Sequence, residues 1–80
     1  MPTVLRWEGF RFYFFSNEGY EPPHIPLIRA ETTAKFWLEP VALARNVGFP
    51  DRVLGILERK VVEERLHFLE AWNEYFRRNS

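Results

Sequence analysis

The sequence predicts an α+β domain: a small antiparallel sheet of three to four strands packed on a long C-terminal α-helix. Three observations lead there. Residues 3–39 contain short runs of β-branched and aromatic side chains separated by turn formers. Residues 50–78 carry apolar side chains at helical spacing. The 80-residue length suits a single domain, residues 1–80, with one core.

The elements follow in order. Thr3-Val4-Leu5-Arg6-Trp7 and Phe10-Arg11-Phe12-Tyr13-Phe14-Phe15 read as a strand pair joined by Glu8-Gly9, a two-residue hairpin signal. That turn sets Trp7 opposite Phe10, Leu5 opposite Phe12 and Thr3 opposite Phe14. Leu5, Trp7, Phe10, Phe12 and Phe14 then share the core face. Val4, Arg6, Arg11, Tyr13 and Phe15 share the other. Ser16 to Pro23 is a loop rich in turn formers. His24 to Ala30 is a third strand, and Pro26 within it favours an edge position or a bulge, because proline donates no hydrogen bond. Glu31-Thr32 connects it to a fourth strand, Thr33 to Leu38. Ala34, Phe36 and Leu38 fall on one side of that strand, Lys35 and Trp37 on the other. Glu39-Pro40 ends it, and Val41 to Asn46 fits one short helical turn before Gly48.

The last segment is the helix. Pro50 suits its first position and Asp51 its cap or first turn. Leu54, Leu57, Val61, Phe68, Leu69, Trp72, Tyr75 and Phe76 form one stripe, with Val62 and Leu66 at its edge. About 27 residues at ~1.5 Å each make a helix roughly 40 Å long, against ~20 Å for a six-residue strand. Either a turn breaks the helix or its overhang packs on a second chain. The expectation is the latter, as a homodimer or with a dedicated protein partner.

Composition excludes several classes. Cysteine is absent, so no disulfide framework or cysteine-based zinc site exists. No apolar run approaches the ~20 residues of a membrane span. No basic and apolar leader follows Met1, so a cytoplasmic protein is expected. Eleven basic and eleven acidic side chains cancel, which argues against bulk coating of nucleic acid. Aromatics are 18% of the chain, eight Phe, three Trp and three Tyr. With ~150–250 Å² per ring, these exceed what so small a core holds. Part of them is expected on a second surface.

That surface is the other sheet face. Arg6 and Arg11 sit opposite each other there, with Tyr13, Phe15, Lys35 and Trp37. A partner protein packing on Arg stems and rings fits this pattern. Single-stranded RNA, stacking bases on rings and setting phosphates on cations, is the rival occupant. His24 follows Pro22-Pro23 and has Glu18 and Glu21 nearby, the grouping of a general base or of a hydrogen-bonded structural histidine. The other histidine, His67, lies on the polar side of the distant helix, so neither metal nor cofactor is expected. Arg65 falls inside the apolar stripe in line with Glu58. It marks either the seam where the sheet ends or an anion-binding position.

Four blocks resemble a family. Residues 17–25 (Asn-Glu-Gly-Tyr-Glu-Pro-Pro-His-Ile), 34–41 (Ala-Lys-Phe-Trp-Leu-Glu-Pro-Val), 46–49 (Asn-Val-Gly-Phe) and 69–76 (Leu-Glu-Ala-Trp-Asn-Glu-Tyr-Phe) are similar, in that order, to the small prokaryotic domain-of-unknown-function 4160 family. The resemblance implies a short stand-alone protein, often encoded beside another small domain in a layout similar to toxin–antitoxin pairs. It implies no established chemistry. The family pattern resembles Pro-Pro-His-aliphatic-His, and here Pro26 stands in place of the second histidine. If that family pattern serves a paired-histidine activity, the expectation is that this chain has lost or altered it. The resulting expectation is a non-enzymatic interaction module of a toxin–antitoxin-like pair, binding protein through the aromatic and basic sheet face and the overhanging helix. The alternative is an RNA-binding or ribonuclease-type toxin using that face with His24.

Overall fold

The computed structural model describes residues 3–14 and 21–78. Five strands form one antiparallel sheet: β1 (Thr3–Trp7), β2 (Phe10–Tyr13), β3 (His24–Arg29), β4 (Thr32–Leu38) and β5 (Val41–Val47). They lie side by side in chain order. Two helices follow, α1 (Asp51–Glu63) and α2 (Arg65–Arg78). The α+β class is as expected, with two differences in its parts.

The first difference is β5. Val41 to Asn46 is not a helical turn but most of an edge strand paired with β4 from Leu38↔Val41 to Thr33↔Val47. A two-residue connection, Glu39-Pro40, joins β4 and β5. Its short reach brings β5 back along β4, and the ladder overrides the helical preference of Ala, Leu and Arg.

The second difference is the helix. It is not continuous: Glu64, at φ −97° and ψ 11°, separates α1 from α2. Helix-type bonds persist on both sides, Glu64 N–H to Lys60 O and Phe68 N–H to Glu64 O, each 2.9 Å. The longest dimension of the molecule is 36 Å, shorter than the ~40 Å of a straight helix of this length. Both halves contact the sheet, α1 against β4 and β5 and α2 against β4, while Val62 and Leu66 on either side of the bend stay exposed.

Local signals explain most of the sheet. Glu8 and Gly9 take φ values of 52° and 82°. Two positive values in a two-residue loop match the right-handed twist of a hairpin. The register is Trp7↔Phe10, Arg6↔Arg11 and Leu5↔Phe12. Thr3 pairs with Tyr13 rather than Phe14, because a bulge intervenes between Thr3 and Leu5. A second irregularity interrupts the β4–β5 ladder. Each falls on an edge strand, where a bulge discourages pairing with another chain.

Pro26 is in the central strand, not at an edge. Pairing of β2 with β3 ends at Phe12↔Leu27, one residue short of it, whereas the β4 ladder runs on through Pro26↔Lys35. A residue without an N–H is tolerated where one of its two ladders has stopped. The turn to β4 is Ala30-Glu31, one residue earlier than expected. Phe15 lies outside the described residues.

The core lies between the sheet and the helices. Phe12, Ile25, Leu27, Phe36 and Leu38 meet Leu57, Val61 and Phe68, all fully buried. Burying each such side chain stabilises the fold by ~1.5–3 kcal/mol before ordering costs. Phe12 stacks on Phe68 at 5.3 Å, and Phe14 meets Trp72, Tyr75 and Phe76 at 5.6–5.7 Å, fastening α2 to β2. Phe49 is buried against Phe10. Asn46 holds it there: its side-chain Nδ2 donates to the Phe49 carbonyl at 2.9 Å, and its Oδ1 accepts from the Phe49 N–H at 3.0 Å. Among the described residues, no helix is long and apolar enough to cross a membrane.

Candidate interaction surface

Side chains alternate along a strand, so the face opposite the core can be read from the pairing. Phe12, Leu27 and Ala34 align on the core face. Their neighbours therefore point away. Arg6, Arg11, Ile28, Thr33 and Val47 align across the whole sheet in one outward row. Tyr13 is two residues further along β2. Pro26, Lys35 and Arg45 form the second row, with Pro26 buried; in the third, Trp37 and Ala42 pair beside His24, whose buried ring instead meets Trp72 of α2.

The strands carry Arg6, Arg11, Arg29, Lys35 and Arg45 and no acidic residue. Among the described residues of this half, the acids Glu8, Glu21, Glu31 and Glu39 lie in turns and loops. Two like-charged pairs thus stand directly opposite each other on the outward face, Arg6↔Arg11 and Lys35↔Arg45. Such pairs destabilise a sheet unless something negative answers them. Lys35 is answered within the chain, its Nζ lying 3.2 Å from Glu21 Oε1 and 5.2 Å from the Trp37 ring centre. Arg11 donates from Nε to Thr3 Oγ1 at 2.8 Å, and its guanidinium lies 5.1 Å from the Tyr13 ring centre. Arg6 and Arg45 are exposed and form no ion pair among the described residues.

The expected surface is therefore assembled in part. Arg6, Arg11, Tyr13, Lys35 and Trp37 do share a face. Tyr13 is only 6% exposed, however, and Trp37 is half-buried, so neither ring is openly displayed. Arg45 belongs to the face and was hidden from sequence reasoning by the helical reading of its segment. The β-branched Val41 and Val47 at the ends of the segment are its strand signal.

His24 is enclosed by its neighbours. Its side chain is 1% exposed. The ring lies 4.8 Å from Trp72 and 5.8 Å from Trp37. Nδ1 is 2.9 Å from the Pro22 carbonyl oxygen and 3.5 Å from Glu21 Oε1. Facing a carbonyl oxygen, Nδ1 carries the proton and donates it. The Pro22-Pro23 pair presents that carbonyl, and the Leu38 N–H donates to Pro23 O at 3.0 Å to continue the sheet edge. This histidine joins loop, sheet and α2. Glu18 lies outside the described residues.

Arg65 opens α2 directly after the bend. Its Nε donates to the Leu38 carbonyl at 2.8 Å, and Nη2 lies 3.7 Å from Glu39 Oε2. It ties the helix to the end of β4, the seam role, and does not join the other cations. Shallow clefts between β1 and the helices carry mixed charge. The one of 340 Å³ is lined by Trp7, Phe10, Ile56, Glu8, Arg29 and Arg52 among others. Among the described residues, no three His, Asp or Glu side chains gather as metal ligands do.

Residues 9–73 match the model of a family described as a domain of unknown function (DUF4160). No curated protein and no solved structure matches the chain.

Proposed function

The chain belongs to the DUF4160 family, and from its outward sheet face we propose that it is a non-enzymatic interaction module, one component of a toxin–antitoxin-like pair, acting in the cytoplasm. The face binds a protein partner. One observation carries this reading: cations alone occupy charged strand positions, and four of the five, Arg6, Arg11, Lys35 and Arg45, stand in two like-charged pairs on a surface facing away from the core. Within the chain Lys35 is answered by Glu21 and Arg11 donates to Thr3, so Arg6 and Arg45 are the cations of these pairs that an acidic partner would answer.

The alternative, a ribonuclease-type toxin working through His24, has less support. An acid–base group must come within hydrogen-bond reach of its substrate. The His24 ring is enclosed by Trp37, Trp72 and the Pro22 carbonyl.

Co-expression with the product of the neighbouring gene tests the reading. The two proteins are expected to co-purify, and the chain expressed alone is expected not to arrest growth. Growth arrest relieved by a His24→Ala variant that remains folded would favour the ribonuclease instead.

A further inference from the structure

The outward cations are not spread evenly, and their layout restricts what binds. The Arg6↔Arg11 pair spans β1 and β2 in the first outward row, and the Lys35↔Arg45 pair spans β4 and β5 in the second. Three strand steps of ~4.8 Å and one two-residue step of ~6.8 Å set the two pairs roughly 16 Å apart on a diagonal. Between them lie Ile28, half-buried, and Pro26, buried. The centre of the face therefore carries no charge and offers Ile28 as its partly open apolar side chain, and the two ends are cationic.

This layout also distinguishes between classes of occupant. RNA held on a sheet uses open rings on which bases stack. Tyr13 is buried beneath the Arg11 guanidinium, and Lys35 lies against the ring of Trp37. The cations here occupy the ring faces that bases would need.

We infer that the partner presents an extended acidic protein segment that crosses the strands, with two groups of carboxylates separated by a short apolar stretch. An extended chain advances ~3.3 Å per residue and returns a side chain to the same face every second residue. Carboxylates four to six residues apart therefore reach both cation pairs, while the residues between pack on Ile28. Arg6 and Arg45 are the anchoring positions, because each is exposed and has no ion pair among the described residues. This inference rests on the protein-binding reading above and adds the partner's chemistry and spacing.

The test compares three probes by calorimetry at low salt. One is a peptide with two Glu-Glu groups separated by an apolar spacer. The second has the same composition with all the Glu contiguous. The third is an eight-nucleotide single-stranded RNA. The spaced peptide is expected to bind best. Arg6→Ala and Arg45→Ala, each checked for native circular dichroism, are expected to weaken it about two- to fivefold apiece, the worth of an exposed charge pair. Together they should multiply. Equal affinity for both peptides would overturn the spacing while leaving the protein-binding reading intact. Tighter binding of RNA that depends on Arg6 and Arg45 would overturn the choice of occupant. If no probe binds and the neighbouring gene's product still binds the double variant unchanged, the face is not the site, and the inference fails while interaction with that protein stands.

Discussion

At the scale of single residues, backbone conformation and burial identify the sensitive positions. Gly48 has φ +105°, and a Cβ there would lie 3.0 Å from Thr32 Cγ2. Gly48→Ala is therefore expected to destabilise the fold by ~1–3 kcal/mol in urea unfolding, the usual cost of a strained backbone position. Glu8 is the opposite case. It occupies a left-handed turn position, φ 52°, that asparagine adopts more readily. Glu8→Asn should raise stability by ~0.5–1 kcal/mol. His24→Ala would remove a buried ring from between Trp72 and Trp37, and ~2–4 kcal/mol of stability should go with it. A catalytic histidine on an open surface would instead be removed with little change in unfolding free energy.

Among the elements, the bend at Glu64 concentrates charge. The Glu64 carboxyl is held below its ordinary range, first by a hydrogen bond from His67 at 3.2 Å and then by Lys60 at 3.3 Å. Lys60 is pushed above its ordinary value, chiefly by Glu63 at 3.1 Å. A lowered carboxylate stabilises the fold above its unfolded pKa, and that contribution fades as pH falls through the lower folded value. A raised lysine stabilises below its unfolded pKa, and that contribution fades as pH rises through the higher folded value. Both contributions are present at neutral pH. Glu64→Gln should flatten the acid limb of stability against pH, read as denaturation midpoints across that range. The bend itself is not legible in the sequence, since neither proline nor glycine marks it. It follows from rings far apart in the chain, Phe12 on Phe68 and Phe14 on Trp72, which draw α2 back onto the sheet. The β1–β2 hairpin is legible, because Glu8-Gly9 sets the register locally. The last strand is not, because its residues prefer helix and only pairing with β4 makes them extended. Arg45 is lost to sequence reasoning along with it, and so is half of the second cation pair. The burial of Tyr13 and His24 is equally a tertiary result, set by what the rest of the chain lays against them.

For the whole molecule, the bent helix closes the core within one chain. Leu57, Val61 and Phe68 are fully buried without a second copy. Light scattering of the isolated 9.7 kDa chain separates the two expected partners: a particle of that mass is expected where the partner is a different protein, and one of twice that mass where the chain pairs with itself. Its neutral net charge conceals a sheet whose strands are purely cationic, and that asymmetry is the basis for assigning it a binding role. The most direct test is capture of the neighbouring gene's product by the purified chain and by the charge-reversal variant Arg6→Glu/Arg45→Glu, with circular dichroism confirming that both are folded. The outward face predicts capture by the native chain and its loss in the variant. Equal retention by both would contradict it.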